Sequence, residues 1–300
     1  MLIKKFTQLI LRSNINAAIV AMLCAFLPLL SWIGMVIVAL VTLCKTAADG
    51  FIILLWAVLP YIVISSVTRS WWSLIYTVLF GGLFVWILAI IWKRYSKFNW
   101  VVEAAVLVGI IAIVIFHVVV PNPHVWWTQH LLDNASKWIS SANLKLNMGW
   151  FKQTAPIVAP YMTGVQCAFI LLGIIVEIII ARALQANLFN SWMWRKEWRE
   201  FRISPIVVVF LALCLILFWI KPVLLKDLLP VLVFPLLFAG VSLVHSCMVM
   251  LKIPSVFMWL FYLLVFLSLL FLPFLLGILV LLAVMDSFLN FRSKIGVRHH

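Results

Sequence analysis

Four ionisable side chains fall inside or at the edge of long apolar runs: Glu103, Glu177, His245 and Asp286. An ionisable group in a hydrocarbon environment is costly, so each is a candidate for binding a substrate group or relaying protons. Glu177 precedes Arg182 by five residues, which sets it roughly 7–8 Å along a helix from that basic end. His245 precedes Lys252 by seven, roughly 10 Å from its own basic end. The two would reach similar depth, with Glu103 and Asp286 on the same side. The alternative is structural: a carboxyl neutralised by protonation or by His, orienting helices without a ligand. His117 falls near the opposite interface, where a snorkelling role is expected.

Other chemistries find no support. In "GVSLVH" Ser242 and His245 stand at i and i+3. A nucleophile and its base on one helical turn rarely align for proton transfer, and an intramembrane Ser usually bonds its own i−4 carbonyl. There is no HExxH, no Asp pair on matched helices and no Gly-rich phosphate loop. The five cysteines, Cys24, Cys44, Cys167, Cys214 and Cys247, sit within or beside apolar segments with no CxxC or Cys/His ligand spacing. Neither catalysis nor a metal or cofactor is expected.

The elements that would position these groups follow from composition. The chain is 67% hydrophobic, with a mean hydropathy of +1.23. Runs such as 101–120 reach membrane-spanning length. The expectation is an all-α, polytopic membrane bundle over residues 1–300, a single integral-membrane domain with no linker or appended soluble domain. The net charge of +14 is topological rather than a nucleic-acid footprint, because no basic soluble domain exists to carry one. Lys4, Lys5 and Arg12 ahead of an apolar run mimic a signal peptide, but the hydrophobicity continues, so the first helix reads as uncleaved.

Apolar segments cover roughly 17–43, 51–67, 71–92, 101–120, 156–186, 205–220, 228–251 and 255–288. The first holds Pro28 near its middle and the last holds Pro273, and an interior Pro removes a backbone hydrogen bond. Charge arbitrates. The count is about eight to ten helices; with both segments split it is about ten, and 16 of the 22 Lys and Arg residues fall on the side of both termini. Left unsplit, the first segment would export the basic cluster at 195–202. Short paired helices at both ends, termini in the cytoplasm of a bacterial inner membrane, are therefore expected, the first pair being either two crossings or a re-entrant hairpin.

Two amphipathic stretches remain. In 121–155, Trp127, Leu131, Ala135, Trp138, Ala142 and Leu146 recur at helical spacing, with Gln129, Asp133, Ser136, Ser140, Asn143 and Asn147 between them. An external helix at the bilayer surface, or a lid over the bundle, has this pattern. In 195–202, six of eight residues are charged. With Trp194 at 0°, Trp198 and Phe201 fall at about 40° and 340°, and Arg195, Arg199 and Arg202 at about 100°, 140° and 80°. Glu197 and Glu200 lie on the other flank. An aromatic face bordered by arginines suits a cytoplasmic interfacial helix, serving either as a topological anchor or as a docking surface for a partner or anionic lipid. Ser204-Pro205 then reads as the N-cap and first residue of the next helix.

"ARALQANLFN" followed by "EWREFRISP", together with "AGVSLVHSCM" and the closing "MDSFLNFRSK", resembles the YybS-like domain-of-unknown-function family of bacterial membrane proteins. The resemblance runs over most of the chain, with Leu184 where the family pattern has tryptophan. It implies a fold similar to the substrate-binding S-components of energy-coupling-factor transporters, which dock a membrane partner through an Ala-x-x-x-Ala face on the first helix. Ala17, Ala21 and Ala25 carry that spacing here, and small residues four apart let helices approach closely in lipid. The expected function is binding or helping to translocate a small molecule with partner subunits. The alternative is a membrane scaffold that recruits partners.

Overall fold

The computed structural model describes residues 2–27, 29–69, 71–141, 148–189, 197–217, 222–270 and 273–292. The described chain is helical, with no strand. Its helices are α1 (Leu2–Arg12), α2 (Asn14–Phe26), α3 (Ser31–Cys44), α4 (Ala47–Thr68), α5 (Trp71–Tyr76), α6 (Phe84–Tyr95), α7 (Phe98–Val119), α8 (Pro123–Ser141), α9 (Met148–Val158), α10 (Met162–Phe189), α11 (Pro205–Leu217), α12 (Pro222–Met250), α13 (Ser255–Leu270) and α14 (Pro273–Leu289). A π-helical turn, Thr77–Leu83, joins α5 to α6, and a 3₁₀ turn, Ala159–Tyr161, joins α9 to α10.

Among the described residues, five helical runs are long and apolar enough to cross a membrane: Ala47–Thr68, Thr77–Tyr95, Phe98–Val119, Met148–Phe189 and Leu224–Met250. The segments expected to split do split. Phe26 ends α2 and Ser31 opens α3, Pro28 itself lying outside the described residues, and Pro273 opens α14 after α13. Each of these four helices is 13 to 17 residues long, shorter than a full crossing. Ser204 caps α11 as its type predicts, accepting from Ile206 N at 3.3 Å, with Pro205 at the first helical position.

The chain divides into two compact units, Met1–Ala105 with Ile170–Phe201, and Val106–Phe169 with Arg202–His300. The first is built around α2, α3 and α4. A Cβ on Gly34 would lie 3.1 Å from the Ala21 carbonyl oxygen, and one on Gly50 would lie 1.9 Å from Thr42 Oγ1, so glycines permit both close approaches. Ala17, Ala21 and Ala25 are buried there, at 0, 0 and 3% exposure. This corrects the docking expectation: the small-residue face is already occupied by the chain's own helices, because small side chains let neighbouring helices come close.

In the second unit α12 packs on α14 so closely that a Cβ on Gly240 would lie 2.3 Å from the Leu279 carbonyl oxygen. Two helices, α8 and α9, stand where the sequence predicts one external amphipathic helix. Along α8 the expected faces hold: Ala135 is buried and Trp127 and Leu131 half-buried, while Gln129, Asp133, Ser136 and Ser140 are exposed. Trp138 departs from the pattern, being exposed at the lip of an apolar groove between α8 and α9. Ala142, Asn143, Leu146 and Asn147 lie outside the described residues.

Candidate functional site

In the first unit, the polar residues gather where α3, α6 and α10 end and α4 begins. The last carbonyls of a helix have no intrahelical partner, and here side chains supply them. Lys93 Nζ donates to the Thr42 carbonyl at 3.1 Å and also to that of Lys45. Gln185 Nε2 donates to the Leu43 carbonyl at 3.1 Å. Thr46 and Asp49 form a reciprocal capping box at the start of α4.

Glu197 is the centre of the adjoining cluster. Its carboxylate accepts from Arg182 Nε at 3.2 Å, from Arg182 Nη2, and from Trp92 Nε1 at 3.2 Å, while the Arg182 guanidinium lies 5.7 Å from the Trp92 ring centre. Phe98 packs at a tilt against both Trp92 and Phe201, with ring centres 4.9 and 4.7 Å away, and Trp198 lies 6.0 Å from Phe98. This corrects the reading of residues 195–202 as one aromatic stripe laid on a membrane surface. Phe201 is wholly buried in the protein, its ring packed against Phe98. The helical turn stops at Glu200, so Arg202 leaves the expected basic stripe. Arg199 is half-buried. Trp192, Trp194, Arg195 and Lys196 lie outside the described residues. Replacing Glu197 with Ala should lower the thermal stability by about 2–3 kcal/mol, because it leaves Arg182 as a little-exposed cation without its carboxylate. Glu197→Gln should restore part of that loss in the same unfolding measurement.

Deeper in this unit lies Glu177, on α10 among the buried Ile174, Ile175 and Ile178. Its Oε2 is buried and has no hydrogen-bond partner. Tyr61 of α4 shares a side-chain hydrogen bond with Ser31 and lies within electrostatic range of Glu177. Glu103, the other acid expected in this membrane region, is half-buried near the start of α7.

The second unit holds three further polar clusters. His245 of α12 hydrogen-bonds Tyr262 of α13, 3.0 Å between Nδ1 and Oη. Asp286, buried at the end of α14, accepts from Phe291 N at 2.9 Å and pairs with Arg292 Nε at 3.2 Å. The chain returns to it through Asn290, whose φ of 48° is a left-handed helix stop that Asn tolerates. Arg292 Nη1 reaches Ser242 Oγ at 3.3 Å. Burial pulls the Arg292 guanidinium below its usual value, and Asp286 opposes that pull. Arg202 donates to the Ser287 carbonyl at 3.2 Å, and Ser287 Oγ to the Ile203 carbonyl. The three stretches "EFRIS", "AGVSLVH" and "MDSFLNFR" thus meet through Arg202, Ser242 and Asp286, where the sequence showed only separate motifs. Ser242 serves there as an acceptor for arginine, and Ser246 makes the i−4 bond, to the Ser242 carbonyl at 2.7 Å.

The third cluster was not legible in sequence. His117 Nε2 and Asp227 Oδ2 stand 2.8 Å apart, and Asp227 Oδ1 accepts from Gly164 N at 3.0 Å. Next to it, Trp127 Nε1 donates to Thr163 Oγ1 at 2.9 Å. His117 is therefore paired rather than snorkelling, because a buried carboxylate 1% exposed needs a donor. Asp227 stands beside Lys226 in the sequence. Its only signal was being one of eight acids in so apolar a chain. Among the described residues no group of three His, Cys, Asp or Glu side chains is placed to hold a metal ion.

Comparison with family models, with curated proteins and with solved structures finds no match for this chain.

Proposed function

We propose that this protein is a bacterial cytoplasmic-membrane protein that binds, and with partner subunits helps translocate, a small molecule, with Glu177 as its principal polar contact. The observation that carries this reading is the Glu177 carboxyl oxygen, buried without a hydrogen-bond partner in a membrane-length apolar helix. Such an oxygen is costly to leave unmade. A proton, or an amine or hydroxyl of a ligand, would satisfy it. The resemblance of its short motifs to the YybS-like family, which would imply an S-component-like fold, favours the same reading, and with no phosphate-binding loop in the sequence active transport would need partner subunits. The excess of Lys and Arg on their side favours both termini in the cytoplasm, with the short helices at each end crossing in pairs as broken spans.

The scaffold alternative rests on an exposed aromatic–arginine helix. Burial of Phe201 and the engagement of Glu197 leave that surface with less to offer.

The test is mass spectrometry of small molecules retained by the full chain in nanodiscs, comparing wild type with Glu177→Gln. The substitution keeps the shape and removes the charge. Expected is a retained compound lost by about ten-fold or more in the variant, the worth of a charge-assisted hydrogen bond. Identical profiles from two equally monodisperse preparations would sink the proposal.

A further inference from the structure

The N-terminal corner of the first unit has a composition and shape that transport through Glu177 does not use. On α1, with Phe6 placed at 0°, Leu9 and Ile10 fall at about 300° and 40°, while Lys4, Lys5, Gln8 and Arg12 occupy about 160–260°. Thr7 and Ile10 are each 1% exposed and root the helix in the unit. Phe6 and Leu9 face outward, and Lys4, Lys5 and Arg12 are exposed. The chain then turns by 115° into α2. A basic amphipathic helix set at a large angle to an apolar one has the geometry of the headgroup–acyl boundary.

A groove opens at this corner. It has a volume of about 170 Å³ and is walled by Ile15, Ile19 and Met22 of α2 and Ile52 and Trp56 of α4, with Asn14 also in its lining. Asn14 accepts from Lys45 Nζ at 2.7 Å and donates to Asp49 Oδ1 at 2.6 Å. Arg12 lies two residues before Asn14. Asn14 thus joins the groove to Lys45 and to the single carboxylate of Asp49, and along α1 Lys4 and Lys5 stand about two turns before Arg12. The interior of the groove is apolar and too narrow for a helix.

We infer that this corner is a binding site for one anionic phospholipid of the bilayer, its phosphate held by Arg12, Lys4 and Lys5 and an acyl chain lying along Ile15, Ile19 and Trp56. Charge complementarity selects the headgroup, and the groove distinguishes a seated lipid from a diffuse attraction to the membrane surface.

The experiment uses the full chain in nanodiscs of phosphatidylcholine doped with phosphatidylglycerol, followed by detergent extraction and native mass spectrometry of the lipid that stays bound. Wild type should retain phosphatidylglycerol in clear excess over its share of the nanodisc. Lys4→Gln, Lys5→Gln and Arg12→Gln together should reduce that excess by about five-fold per residue at low salt. Ile19→Trp, made at an exposed groove position, should displace the lipid while leaving the basic residues in place. A control triple variant, Arg69→Gln, Lys137→Gln and Lys152→Gln, removes the same charge elsewhere and should retain lipid as wild type does. The inference is overturned if wild type shows no phosphatidylglycerol excess, if the control triple loses as much as the α1 triple, or if Ile19→Trp keeps the lipid. If the α1 triple does not fold, the Ile19→Trp and control arms still decide.

Discussion

Gly164→Ala is expected to cost the second unit its fold, whereas Gly173→Ala, nine residues further along the same helix, should be close to neutral. A Cβ at position 164 would stand 1.8 Å from the Asp227 carbonyl oxygen and 2.6 Å from its carbonyl carbon. Those are backbone atoms and cannot rotate away, so α10 and α12 must separate. Separation also breaks the Gly164 N to Asp227 Oδ1 bond and disturbs the Asp227–His117 pair. The loss should exceed the roughly 1–3 kcal/mol of ordinary overpacking. At Gly173 nothing lies within 4 Å of the added carbon, and Ala is the better helix former by about 1 kcal/mol in water. The yield of monodisperse protein and the midpoint of thermal unfolding, measured for both variants, check the pair. Equal behaviour would mean that α10 and α12 are not in backbone contact at this point.

The second large effect belongs to Asp286. Asp286→Ala should destabilise the protein by about 3–5 kcal/mol, the cost of stranding one member of a buried ion pair. Arg292 would keep its charge at 8% exposure, with Ser242 Oγ as a neutral acceptor in place of a carboxylate, and Phe291 N would lose its acceptor. The double variant Asp286→Leu, Arg292→Leu should recover most of that loss, because removing both charges removes the stranded one. Denaturant unfolding of the three proteins measures this. A double variant as unstable as the single would show that the site depends on side-chain shape rather than on charge compensation.

Much of the local structure was legible because it depends on near neighbours in sequence. Pro273 starts α14, Ser204-Pro205 starts α11, and α8 alternates its faces with a period of 3.6 residues. The candidate site was legible only in part. Glu177, with one carboxyl oxygen buried, and Asp286, buried whole, stood out in sequence, since a carboxyl inside an apolar run is conspicuous whatever it touches. Their partners were not. Asp286 is answered by Arg292 six residues on, His245 by Tyr262, and His117 by Asp227, 110 residues away.

The residues 195–202 show the same division. Their charge density alone marked them as a landmark of topology. Whether their aromatic residues would face lipid or protein depended on Phe98 and Trp92, which lie about a hundred residues earlier. Ala17, Ala21 and Ala25 likewise announced a close helix approach without saying to which helix.

By itself, the sequence determined the all-helical apolar class, the places where helices start and break, and which side chains are too costly to bury alone. Those properties follow from hydropathy, backbone hydrogen bonding and the solvation of single groups, all of which act over a few residues. The tertiary structure decided the pairing of Glu197 with Arg182 and of Asp227 with His117, and the filling of the alanine face from within the chain. It also left one Glu177 oxygen without a partner. Those outcomes depend on which helix faces meet, and short-range preferences are the same for many such arrangements.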